Sequence, residues 1–279
     1  MNPPSQPAGA EPSSEANAGV PGTLHQIVRV RHELRRRKLT VSSVESLTPL
    51  MRRIRFTSPE LGDFHSPSPD DHIKLFFPQP DGQAGEPAMR DFTPRAFDNA
   101  AKTLTIDFAL HGSGPATEWA ARAQAGQTLD IGGPRGSNVV PDDFDWYLLV
   151  GDESALPAIG RWVEMLRPGV PVTTVVAVAH EDEQQTWVTR ASWRPSWAVR
   201  GEPSVHDGAW LRRALDAFSP PAGDGFVWIA GEASAVRELR THFVEERRHP
   251  SAWLKAAAYW HRGENDSDVS PSNPGSTHG

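Results

Sequence analysis

The sequence predicts an α+β chain of two unlike halves: an antiparallel six-stranded β-barrel followed by an α/β unit built on a parallel sheet. Three observations predict it. Between about Leu39 and Ile131 the chain falls into short runs of alternating apolar and polar residues, punctuated by Pro, Gly and Asp. After Pro141 the apolar runs become continuous, as strands buried on both faces require. Helical stretches separate those runs, and a β-α-β rhythm implies parallel pairing.

In the first half, Val41–Leu47, Met51–Thr57, His72–Phe77, Asp91–Phe97 and Thr103–Ala109 are predicted strands, the last with the cleanest alternation. Pro115–Ala125 is a predicted helix, with Pro in its first turn and Gly126 past its end. A strand over Thr128–Ile131 then leads into Gly132-Gly133-Pro134-Arg135-Gly136. In the second half, strands are predicted at Trp146–Val150, Val172–Val178, Phe226–Ala230 and Leu254–Trp260, with helices at Leu156–Leu166, Gly208–Phe218 and Ser234–Arg248. These patterns place the two domains at residues 23–141 and 142–263. Residues 1–22 and 264–279 are poor in bulky apolar side chains, so they cannot bury enough surface to offset their ordering entropy and are expected to be disordered.

A chain of 279 residues is long enough for two domains. It contains no cysteine, which excludes disulfides, thiolate zinc sites, a cysteine nucleophile and Cys-ligated iron–sulfur clusters. Electron traffic, if there is any, must use an organic cofactor. No metal-ligating set and no catalytic acid or base stands out. A net charge of −7 argues against nucleic acid as a partner. No apolar run approaches the ~20 residues that span a bilayer, and residues 1–20 lack the apolar core of a signal peptide. The expectation is a cytoplasmic protein with no membrane partner. The one dense basic run, Arg35-Arg36-Arg37-Lys38, fits a solvated positive face or an anion contact.

Arg90-Asp91-Phe92-Thr93-Pro94-Arg95 is an unusual strand. Alternation puts Arg90, Phe92 and Pro94 on one face and Asp91, Thr93 and Arg95 on the other. Two guanidiniums flanking an aromatic and a hydroxyl suit a ligand with phosphates and a flat ring. The same pattern also fits an edge strand with two solvent-facing arginines. Gly151-Asp152-Glu153-Ser154 directly follows the first buried strand, where backbone can approach a ligand and the next helix offers free N–H groups, although turn geometry alone also calls for glycine there. The full Gly-x-Gly-x-x-Gly fingerprint is absent.

With these segments in place, the chain resembles the siderophore-interacting protein family of the ferredoxin–NADP reductase superfamily from about Leu39 to Gly263. Arg90 to Arg95 resembles the family's Arg-x-Tyr-Thr-x-Arg flavin motif. It is followed in family order by Asp107 to Ala116, Trp119-Ala120, Gly133 to Ser137, Gly151 to Ile159, Ala230 to Ala233 and Tyr259 to Gly263. The resemblance implies an FAD-binding barrel, an NADH- or NADPH-binding α/β domain, and a monomeric enzyme that reduces ferric siderophores. A general flavin reductase with another acceptor, or a non-catalytic siderophore-binding module, are the alternatives. It also implies that Arg90, Phe92, Thr93 and Arg95 contact FAD, that Asp107, Phe108, Leu110 and His111 line it, and that Ala116, Thr117 and Trp119 meet it where the helix begins. Gly151, Asp152, Glu153, Gly231 and Glu232 would face the nicotinamide nucleotide. Taken by themselves, His111 also fits a turn histidine and Trp119 a core aromatic.

Phe92 departs from the family's Tyr. It keeps the ring face and loses the phenol, at a cost of about 0.5–1.5 kcal/mol for one net hydrogen bond. Glu181-Asp182-Glu183, after the second parallel strand, could bind a ribose hydroxyl and repel a 2′-phosphate, which favours NADH; an acidic surface loop is the other reading. Ferric catecholates are anionic, so an acidic protein needs a local basic pocket. Lys74 and Arg262, with Lys255 as a third, are the substrate contacts we expect, and each also fits an exposed strand cation.

Overall fold

The computed structural model describes residues 25–78, 85–110, 114–201 and 207–262. Both predicted tails, 1–22 and 264–279, lie outside the described residues, as does His111.

The first half is a curled antiparallel sheet of seven strands, one more than the pattern predicts. These are β2 (Arg36–Thr48), β3 (Met51–Thr57), β4 (Ile73–Phe77), β5 (Ala88–Phe92), β6 (Ala96–Asp98), β7 (Thr103–Ala109) and β8 (Thr128–Gly132), in the order β5-β4-β8-β2-β3-β7-β6. The extra strand arises because the predicted run Asp91–Phe97 breaks in two. Pro94 has no N–H for a ladder, and Thr93 before it is sterically restricted, so the chain leaves the sheet between β5 and β6. Alternation along β4 buries Ile73, Leu75 and Phe77 inside the curl with Leu39, Ile54, Phe56, Leu104, Ile106 and Phe108. Helix α1 (Pro115–Arg122) closes the open side with Ala116 and Ala120, and packs on β3, β4 and β7. Two short strands the alternation does not reveal, β1 (Val28–Arg31) and β9 (Gly136–Val139), pair as a separate antiparallel ribbon.

The second half is an all-parallel five-stranded sheet of β10 (Trp146–Gly151), β11 (Pro171–Val178), β12 (Ser192–Val199), β13 (Gly225–Glu232) and β14 (Leu254–Trp260), in the order β12-β11-β10-β13-β14. Along β10, Tyr147 and Leu149 point into one core while Trp146, Leu148 and Val150 point into the other. Helix α2 (Leu156–Met165) covers the first face, and α3 (Asp207–Asp216) with α4 (Ala233–Thr241) covers the second. The predicted helix Ser234–Arg248 is helical only to Thr241 and continues as a π turn over His242–Glu246. Strand β12 escapes sequence reading because Pro195 sits in it; it is tolerated there because β12 is an edge strand that pairs only with β11.

The two sheets share an apolar seam. Met51, with Leu47 and Ala109, packs into the α2-side core of the parallel sheet. Polar contacts reinforce the seam. Glu183 is fully buried and accepts hydrogen bonds from Thr48 Oγ1 and Leu50 N, which ties the β2–β3 turn to the far side.

Candidate active site

The end of β5 carries the sequence's most unusual segment. Cross-strand register pairs Arg90 with Leu75 and Phe92 with Ile73, so both face the inside of the curl. Asp91 pairs with Lys74 on the opposite face, where its two oxygens lie 3.0 and 3.1 Å from the ammonium. The predicted division holds for these three residues and stops there. Beyond Phe92 the chain is no longer a strand, and Thr93, Pro94 and Arg95 are all buried.

The Phe92 ring lies 4.6 Å from Phe108 and 6.0 Å from Phe77, and Trp119 on α1 lies 6.0 Å from Phe108 and 5.7 Å from Phe77. Phe77 and Phe108 are buried, whereas Phe92 and Trp119 are partly exposed and pack against the same core. Leu110 is half-buried beside them and is fixed by its N–H to Leu50 O at 2.7 Å. The first turn of α1, with Ala116 and Thr117, begins at Gly114 without any capping side chain, and Pro115 contributes no N–H. At the other end of α1, Arg52 donates to the carbonyls of Ala120 and Ala121 and complements the helix dipole. Two partly exposed aromatic side chains, the half-buried Arg90 and an uncapped helix start suit a flat ring carrying phosphates. The donor set fits FAD.

Two residues expected at the cofactor are directed elsewhere. Asp107, 3% exposed, receives both Nε and Nη2 of Arg53 at 2.7 Å and so joins β7 to β3. Arg95 turns into the seam and grips the Glu164 carboxylate on α2 with two bonds of 2.6 and 2.8 Å. Asp107 is held by Arg53, and Arg95 by Glu164 through its two terminal nitrogens.

On the nicotinamide side, strand order reverses between β10 and β13, which makes the carboxyl ends of these strands the crevice where open α/β sheets bind ligands. Gly151 and Gly231 lie there, and both are required by the chain's own packing. A Cβ on Gly151 would come within 2.5 Å of Ala155 Cβ and 2.7 Å of Ala230 O. Gly231, with φ +146°, would place one 2.4 Å from Asp152 Oδ2. Asp152 is the hub: it accepts from Ser154 N, Ser154 Oγ, Glu232 N and Trp260 Nε1 and thereby links β10, β13 and β14. Glu232 caps α4 through Ser234 N at 2.8 Å and Ala235 N at 3.0 Å. Burial works to raise its carboxyl, but those bonds hold it below the usual range. Glu153 accepts from Ala179 N at 2.6 Å and pairs with Arg200 across the ends of β11 and β12; burial pushes its carboxyl up to about 7. These acids stand at the switch-point crevice, and each one accepts from backbone N–H groups there. The Glu153–Ala155 turn packs against β7, the strand that carries Phe108.

The acidic run Glu181–Glu183 divides. Glu181 and Asp182 are exposed, while Glu183 is withdrawn into the seam and is no part of a ribose site. The three expected substrate cations are not equivalent either. Lys255 is locked to Asp70 at 2.6 Å; burial would raise that carboxyl, and the Lys255 charge with bonds from Lys255, Trp228 and Ser68 holds it low instead. Lys74 is shared with Asp91, and its side chain stays 37% exposed. Arg262 is exposed at the end of β14, and its backbone also bonds the Glu232 carboxylate. Sequence reasoning missed Arg135. It is exposed on the turn that follows Gly132, the register partner of Lys74, and makes no side-chain ion pair among the described residues. Its signal was its place inside the Gly133–Ser137 segment.

Comparison with known proteins places this fold in a family. A family model described as siderophore-interacting FAD-binding domain matches residues 40–86 and 81–138, and one described as siderophore-interacting protein matches 144–263. An NADPH-dependent ferric-chelate reductase of Escherichia coli is 37% identical, over 84% of this chain and 96% of its own length. The ferric vibriobactin reductase ViuB of Vibrio cholerae is 28% identical over 77% of this chain and 85% of its own. The crystal structure of a siderophore utilization protein from T. fusca superposes with a TM-score of 0.80 at 34% identity, covering 87% of this chain and 99% of that one. The chain belongs to the siderophore-interacting protein family.

Proposed function

We propose that this protein is an FAD-dependent reductase that takes electrons from NADPH and passes them to ferric siderophores, so that Fe²⁺ is released. The observation that carries the reading is the junction itself: the partly exposed Phe92 and Trp119 beside an uncapped helix start, with the switch-point turn of the parallel sheet packed against β7. Arg90 and the first turn of α1 would hold the phosphates and Phe92 and Trp119 would pack against the ring, whereas Thr93, expected at the cofactor, is buried and bonded to Tyr259. When bound, FAD accepts a hydride, that is two electrons, and releases them one at a time, enough for two Fe³⁺ ions. The protein's own part is to bind, orient and keep water from the ring. Hard oxygen donors hold Fe³⁺ far better than Fe²⁺, so reduction releases the metal without any protein ligand to it. Withdrawal of Glu183 removes one of the three charges that would have repelled a 2′-phosphate, which supports NADPH together with the dependence named for the E. coli relative.

Purified protein loaded with FAD is expected to be yellow, to bleach on adding NADPH, and to regain colour on adding a ferric tris-catecholate under anaerobic conditions. Bleaching followed by recolouring with quinones but not with the chelate would instead favour a general flavin reductase.

Lys74 and Arg135 would form the cationic entrance for the anionic chelate, with Arg262 approaching from β14. Lys74→Gln is expected to raise KM for a ferric catecholate roughly tenfold, equivalent to about 1.4 kcal/mol, and to leave NADPH oxidation by a neutral quinone unchanged. Equal loss with both acceptors would remove Lys74 from the substrate site.

A further inference from the structure

We propose that Arg95 and Glu164 are a positioning pair that sets the nicotinamide-binding helix against the flavin segment, so that Arg95 serves hydride transfer without touching the flavin. The inference rests on the reductase reading and adds a residue role to it. Arg95 stands two residues after Thr93 in the segment that carries Phe92. Its side chain is only 7% exposed, and its two terminal nitrogens reach the two oxygens of Glu164 at 2.8 and 2.6 Å. A bidentate guanidinium–carboxylate pair fixes orientation as well as distance. Glu164 lies on α2, the helix that leaves the switch-point turn Glu153–Ala155, so the pair links the two ends of the electron path through one rigid element.

Three further features show that this docking is built. Asp107 Oδ2 stands 3.7 Å from Arg95 Nε, and Arg53 holds Asp107 in turn, so the guanidinium is backed by a buried carboxylate. Gly160 lies one turn before Glu164 on the same face of α2, and a Cβ there would come within 3.1 Å of Arg95 Nη2 and 2.8 Å of Trp187 Nε1; the helix has no side chain where Arg95 crosses it. Arg161, on that same turn, donates to Ser66 Oγ at 3.0 Å and Ser66 O at 2.7 Å, a second attachment to the other sheet. A near-attack geometry tolerates little displacement: about 1 Å of misplacement is enough for a loss on the order of a hundredfold.

The test uses the full-length protein with Glu164→Gln, which keeps the shape of the side chain and halves the pairing, and Arg95→Lys, which keeps the charge and loses the fork. The expected result is a fall of tenfold or more in the rate of flavin bleaching at saturating NADPH. FAD affinity, measured by fluorescence quenching on the FAD-free chain, should stay within twofold. Reoxidation of dithionite-reduced protein by a ferric tris-catecholate should also be unchanged. In the FAD-free protein, amide exchange along α2 should quicken in both variants, while the strands of the antiparallel sheet keep their protection. Loss of FAD affinity in step with the bleaching rate would overturn the proposal and make Arg95 a flavin ligand. An unchanged bleaching rate in both variants would overturn it too. If wild-type protein binds FAD but neither NADPH nor NADH bleaches it, the reductase reading itself fails, and the positioning role falls with it.

Discussion

Asp152→Ala is expected to cost about 4 kcal/mol of stability, the largest effect of any single side chain at the nicotinamide crevice. Four donors converge on this carboxylate, which is 2% exposed. Alanine would leave the Glu232 N–H without its partner inside the protein and release Trp260 Nε1 and the Ser154 turn. Each buried donor left unpaired costs about 1–3 kcal/mol, and bonds to a charged acceptor lie at the upper end of that scale. The effect spreads beyond one contact because Asp152 joins three parallel strands at the point where their order reverses. Urea unfolding of wild type and variant at equal m-values measures it directly. Asp152→Asn should lose less, since its amide oxygen still accepts part of the set. A loss below about 1 kcal/mol in the alanine variant would show that the hub is not what holds these strand ends together.

Glu153 makes stability depend on pH in a sense unlike that of most carboxylates. Burial, reinforced by the neighbouring Asp152 charge, raises its carboxyl from an ordinary 4.5 to about 7, against the pull of Arg200. A group whose pKa is raised on folding contributes its full stability below its unfolded value and loses it as pH rises through its folded value. The contribution is therefore complete below about pH 4.5, declines up to about pH 7, and is flat above roughly pH 8. At about 1.4 kcal/mol per pH unit, the decline is roughly 3 kcal/mol. Glu153→Gln cannot titrate, so the difference in unfolding free energy between it and wild type should move by that amount, to the disadvantage of wild type, between pH 4 and pH 8. A difference that stays constant across this range would mean that Arg200 offsets burial and leaves the carboxyl at its unfolded value.

Much of the architecture was legible because periodicity survives folding wherever burial is one-sided or complete. The alternation of Thr103–Ala109 and the unbroken apolar run at Trp146–Val150 each report how many faces of a strand are covered, which is a local property of the chain. Strand β12 was illegible for the same reason: an edge strand carrying Arg194 and Pro195 has little burial to report. The aromatic cluster was half legible. Phe92, Phe108 and Trp119 stood in recognisable segments, but that their rings would meet across 27 residues of sequence followed from the curl of the sheet and the return of α1.

Charged residues behaved differently. Arg95, Asp107, Asp152, Glu153, Glu183 and Lys255 all stand in or beside motif segments, and all are engaged by the chain itself. Sequence determines that a charge is present and on which segment. Whether it faces a ligand or a partner as far as 185 residues away is settled only when the seam closes, because a buried charge must find its counter-charge or donors wherever the fold brings them. By itself, then, the sequence determined the two halves, the order of the motifs and the absence of any cysteine redox chemistry. The tertiary structure alone decided which cations remain for an anionic substrate and which bind the two domains together, since ion pairing depends on distance in space and not along the chain.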